Sequence, residues 1–73
     1  MYIAIGSDNI VLEIVSSMME KHKTMKAYAK LNYKNLFAMK ATKDDYIEYS
    51  NGGNLERKLY VNDGAIHSKI VTV

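Results

Sequence analysis

Cysteine, proline and tryptophan are all absent from this chain of 73 residues, and its formal net charge is only +2. Without cysteine there is no disulfide framework, no thiolate metal site and no thiol nucleophile. The two histidines, His22 and His67, stand far apart with no partner motif, whereas a metal site wants clustered His, Cys or carboxylate ligands. Asp44, Asp45 and Glu48 form the one acidic cluster, without the spacing of a Ca²⁺ loop, and read as a solvated turn. No serine lies in a G-x-S-x-G context. So short a chain also has little volume for a substrate pocket, and the expectation is a protein that is not an enzyme and has no cofactor or metal.

Long hydrophobic runs are missing too, so no segment reads as a membrane span. The opening MYIAIGSDN has no basic region and no long apolar stretch, which argues against a signal peptide and for a cytoplasmic location. Lys, Asn, Ile, Tyr, Met and Phe total 34 residues against 11 for Gly, Ala, Arg and Pro. That bias follows AT-rich codons, and a phage or mobile-element origin fits it.

What is present is the balance of a folded domain. Apolar residues make up 48% and charged residues 25%, unlike the composition of a disordered tail. Residues 1–73 read as a single small domain. At this length only about 60% of the unfolded chain's surface can be buried, so stability is marginal and a homo-oligomer is one way to add to it.

Period and punctuation suggest the elements. Residues 2–5 (YIAI) form a short apolar run closed by Gly6, Ser7 and Asp8, a strand and a turn. Apolar residues then fall at Ile10, Val11, Ile14, Val15, Met18 and Met19, which predicts an amphipathic helix over about 9–22 capped by Ser7 or Asp8. Residues 25–34 alternate Met25, Ala27, Ala29, Leu31 and Tyr33 with mostly polar neighbours. The period of two favours a strand there, although a helix with Met25 and Tyr28 inward fits nearly as well. Leu36 to Thr42 is a further strand with Phe37, Met39 and Ala41 on one face. Tyr46 to Ser50 and Leu55 to Val61 flank the hairpin signal NGGN (51–54), and Asn62-Asp63-Gly64 turns into a last strand, Ile66 to Val73. The order β-α-β-β-β-β-β describes an α+β domain with one helix on a curved antiparallel sheet.

The segment MYIAIGSD is similar to the N-terminus of the B-type ribose phosphate isomerases. The likeness spans eight residues, and the resemblance implies a strand–turn–helix opening and nothing more.

The strongest asymmetry is in charge. Residues 21–43 hold seven of the ten basic residues and no acid, so the segment carries +7 and the remainder −5. Lys26, Lys30 and Lys34 share a face in a strand and nearly so in a helix. With Lys23, Tyr28 and Asn32 they form a candidate surface for a partner protein or a polyanion. Two functions compete. One is a small regulator or inhibitor docking on a partner protein, such as one that handles nucleic acid; the other is direct DNA or RNA binding through segment 21–43, with lysines on phosphates and tyrosine against bases. A third, weaker reading is a structural oligomer joined through the last strand.

Overall fold

A computed structural model describes residues 1–51 and 57–70. The chain runs β1 (Tyr2–Ser7), β2 (Ile10–Val15), α1 (Met18–Lys30), β3 (Leu36–Ala41), α2 (Lys43–Ser50), β4 (Arg57–Asn62) and β5 (Ala65–Ile70). The strands form one antiparallel sheet in the order β3-β1-β2-β4-β5, curled into a half-barrel. The expected α+β class, a helix on a curved antiparallel sheet, is therefore what the chain adopts. The positions of the helices differ from expectation, for physical reasons that can be named.

The helix expected over 9–22 is replaced by strand β2 followed by the first half of α1. Asp8 and Asn9 do not cap a helix; with φ of 50° and 65° they form the tight two-residue connection between β1 and β2. Asn and Asp tolerate this left-handed backbone better than other side chains do. The pairing register then slips, with Ile5 opposite Glu13 but Gly6 opposite Val11, leaving Leu12 as the extra residue of a β-bulge. The bulge turns Val11 and Ile14 to the same side of the sheet, while Val15 packs on the other. A bulged strand thus mimics the three-residue spacing of a helix. The strand–turn–helix opening implied by MYIAIGSD is corrected likewise, to strand–turn–strand.

Helix α1 starts one element later, where the Ser17 hydroxyl accepts a hydrogen bond from the Glu20 amide at 3.1 Å. It occupies most of the stretch favoured as a strand over 25–34, because Ala and Lys are good helix formers and Met25 and Tyr28 meet the sheet at a spacing of three. A Schellman ending closes it. Asn32 takes φ 63°, its amide reaches the Ala29 carbonyl at 3.1 Å, and the Tyr33 amide reaches that of Tyr28 at 3.3 Å. The Tyr28 and Tyr33 rings meet edge-on across this turn, 5.1 Å apart.

The polar turn expected at Asp44-Asp45 and the strand at 46–50 are instead helix α2. Thr42 and Asp45 form a reciprocal capping box, each side chain accepting from the other's backbone amide at 3.1 and 2.9 Å. Asp44 and Asp45 then lie in the first turn, where the helix dipole favours negative charge. The NGGN signal runs beyond Asn51 into residues outside those described, as do the last three residues of the expected final strand. Strand β3, the start of β1 and the Asn62-Asp63-Gly64 turn stand where the sequence pattern places them.

The two helices cover opposite faces, giving three layers in place of two. Ile3, Ile5 and Val15 lie under Met25 and Tyr28 of α1. Ala4, Ile14, Ala41 and Leu59 lie under Tyr46 and Tyr49 of α2, where the Tyr46 ring stacks on Tyr2 at 4.7 Å. Strand β1 is buried on both sides, which explains why YIAI reads as a continuous apolar run.

Candidate functional site

The helical placement of residues 18–30 redistributes the basic residues. Lys23, Lys26 and Lys30 are exposed and, at spacings of three and four, line the side of α1 turned away from the sheet, with Met19 in the same row. The row of three lysines spans about 10 Å at 1.5 Å per residue, well short of an extended stripe. Lys34 is exposed in the loop beyond the helix, and its backbone carbonyl accepts a hydrogen bond from the Ser7 hydroxyl. Asn32 serves the helix ending. Tyr28 faces the opposite way from the lysines, onto Ile3, Ile5 and Val15. Three of the six candidate residues therefore share one face, and the aromatic one does not.

Tyr28 has a defined structural role. Its hydroxyl donates to the Glu13 carboxylate at 3.0 Å, tying α1 to β2. Burial, then the hydrogen bond and the negative charge of Glu13, push its pKa from the ordinary 10.0 up to about 12. Burial raises Tyr49 as well, with Glu13 adding to it. Because the folded state holds the Tyr28 proton more tightly, the stabilisation is complete below about pH 10 and is lost as pH rises from there through about 12. Urea midpoints measured across that window should fall more steeply for the wild type than for Tyr28→Phe. Spectrophotometric titration of Glu13→Gln should show the phenol ionising at lower pH. Equal slopes for wild type and Tyr28→Phe would remove the assignment.

Next to the lysine row, apolar side chains lie open. Met1 is 77% exposed, Met19 75% and Met18 46%, while Leu31 at 68% is open beyond the far end of the helix. Met1 and Met18 border a groove of about 390 Å³ between the first turns of α1 and the sheet. Ile3, Ala38 and Met39 form its floor, and Lys21 and Lys40 contribute its charged lining. The groove runs beside β3, the edge strand of the sheet, whose outer side pairs with no strand among the described residues. An edge of this kind offers backbone donors and acceptors to an incoming strand. Met18 and Met19 look in sequence like the continuation of an inward helical stripe. Only the strand at 10–15 resets the phase and turns them outward.

A second hollow of about 540 Å³ opens by the β1–β2 turn, over Phe37, Met39 and Val61. Its polar residues are already engaged: Asp8 and Asn9 form the β1–β2 turn, and the Asn35 amide donates to the Asp8 carboxylate at 2.6 Å. Among the described residues no three of His, Asp and Glu gather as metal ligands, and no helix is long and apolar enough to cross a membrane. His22 lies exposed within α1 and not at its end, and His67 is exposed on β5. No family model, curated protein or solved structure matches this chain.

Proposed function

We propose that this chain is a small non-enzymatic binding protein, a regulator or inhibitor that docks on a partner protein by accepting an extended acidic segment of it along β3. The groove beside the open edge of β3 carries this reading, because it joins an apolar floor, lysines and free backbone pairing groups within one strand's reach. Main-chain pairing with β3 would supply affinity, and an apolar side chain in the groove would supply register. Carboxylates would meet Lys21 and Lys40, with the outer row of Lys23, Lys26 and Lys30 steering the encounter. Flexible methionines suit such a surface, since they repack around different side chains. Tyr28, turned onto the sheet, leaves the lysine row without the ring that stacking of bases would need.

The test uses extract of the source cells with and without nuclease treatment, with the wild type and Lys21→Glu/Lys40→Glu as parallel baits, followed by calorimetry on the partner recovered. The expected result is a partner held by the wild type and weakened at least about tenfold by the double reversal. Slowed amide exchange across 36–41 in the complex should accompany it. Capture abolished by nuclease would replace the reading with nucleic-acid binding, and an affinity unchanged by the reversal would remove the groove as the site.

A further inference from the structure

The face of the β4–β5 hairpin carries a second concentration of basic and aromatic groups, separate from α1 and its groove. The turn between the strands uses Asp63 and Gly64 at φ 52° and 74°, the mirror-image turn that pins a two-residue hairpin in register. That register sets Lys58 directly opposite Lys69 and Tyr60 directly opposite His67. Since side chains alternate along each strand, all four project from the face opposite Leu59, which belongs to the core beneath α2. This is the side of the sheet on which α1 sits, but α1 packs over β1 and β3, at the other end. Lys58, His67 and Lys69 are accordingly exposed, and Tyr60 is half-buried.

Their geometry is that of a charged platform. The Tyr60 and His67 rings lie 5.6 Å apart and 31° from parallel, two flat surfaces side by side. The Lys69 ammonium stands 5.4 Å above the Tyr60 ring. Two like charges placed directly opposite on adjacent strands destabilise a sheet, so the Lys58–Lys69 pair works against folding. Edge protection accounts for a lysine on β5, the outermost strand. It does not account for the lysine that faces it from the inner strand β4. An anion between the two ammonium groups would relieve the repulsion, and a flat group on the rings would use the aromatic surface.

The geometry points to a binding site for single-stranded nucleic acid on the β4–β5 face, with backbone phosphates held by Lys58 and Lys69 and a base stacked on Tyr60 and His67. A phosphate draws the Lys69 ammonium off the ring, and the base takes its place. The cross-strand pairs fix phosphate and base contacts in adjacent rows, about 7 Å apart along the strands. The site reads no sequence, since stacking and phosphate contacts accept any base. It stands independently of the docking groove on α1 and β3, and either can fail without the other.

The test is fluorescence anisotropy of a labelled oligothymidylate of about 12 nucleotides, titrated at about 50 and 200 mM salt. The wild type should bind at the lower salt and weaken steeply at the higher. Tyr60→Ala should weaken binding about 5- to 100-fold while Tyr60→Phe, which keeps the ring, should leave it near the wild-type value. Lys58→Ala/Lys69→Ala should lower the slope of log affinity against log salt by about 1.4, at about 0.7 per phosphate released. Both lysines are exposed, so this variant carries the test even if Tyr60→Ala fails to fold. Lys23→Ala/Lys26→Ala/Lys30→Ala should bind as the wild type does. The site is overturned by absence of binding at low salt, or by loss in the α1 variant with none in the hairpin variants. Competition by polyglutamate as effective as that by unlabelled oligonucleotide would also overturn it, in favour of an acidic polypeptide.

Discussion

Gly6→Ala is expected to lose about 3 kcal/mol or more of folding stability and to lower the melting temperature by more than about 12 °C. Gly6 is buried in β1 at the register slip, and a methyl group there would lie well inside contact distance of the Ile10 carbonyl oxygen and the Phe37 ring. The requirement is one of space and not of φ, since Gly6 is not among the residues with positive φ. A ring can rotate aside, but the carbonyl belongs to the backbone of β2 and moves only with the strand. A domain of this size has about 4–11 kcal/mol in all, at roughly 0.05–0.15 kcal/mol per residue, so the change takes a large share of it. Gly64 supplies the contrast. It has φ 74° and nothing within 4 Å of a built methyl group, so Gly64→Ala should cost only the left-handed strain, about 1–2 kcal/mol. Thermal melts by circular dichroism of both variants, together with Gly6→Ala/Phe37→Leu, check the argument. Rescue by the Phe37 change would mean that the ring and not the carbonyl sets the limit, and a Gly6→Ala melting point within a few degrees of wild type would refute the clash.

Ile5→Ala should be the next most damaging change, at about 2–5 kcal/mol. Ile5 is fully buried and joins Ile3 and Val15 beneath Met25, Tyr28 and Ala38. Helix α1 has no buried residue of its own, so its attachment rests on a few half-buried side chains meeting this cluster. A cavity at Ile5 removes the middle of the floor beneath them and leaves Ile3, Val15 and the Tyr28–Glu13 hydrogen bond to hold the helix. The loss should therefore be uneven, with amide exchange in α1 accelerating before that in β1 and β2. Ile5→Val, which removes one methyl group, should cost about 0.5–1.5 kcal/mol. Urea unfolding measures the total and hydrogen exchange its distribution. Uniform acceleration across all elements would show that α1 does not depend on this contact in particular.

The two candidate surfaces differ in how far the residues alone reveal them. The excess of lysine between residues 21 and 43 is visible in composition, and its position on an exposed helix follows once α1 is placed. The groove is not visible in that way, because its lining comes from β1, α1 and β3 and depends on which way Met18 points. The hairpin platform lies between these cases. The Asn62-Asp63-Gly64 turn predicts the pairing of Lys58 with Lys69 and Tyr60 with His67, but its accessibility depends on α1 lying over the far end of the sheet.

Local chemistry alone determined the α+β class, the strand over 36–41, the final hairpin turn and the separation of charge, since each rests on neighbours in the chain: alternation of apolar residues, left-handed turn residues, runs of one sign. The capping box of Thr42 and Asp45 was equally local, and the two aspartates obscured it by looking like a turn. Tertiary structure decided the rest. The bulge at Leu12 exists because β1 pairs with β2, and it alone makes Val11 and Ile14 face one way. Whether 25–34 lies as strand or helix turned on the sheet offering Ile3, Ile5 and Val15 to Met25 and Tyr28, since two periods fit one stretch almost equally well. A pattern of side chains names the faces of an element, but which face is buried is settled by what packs against it.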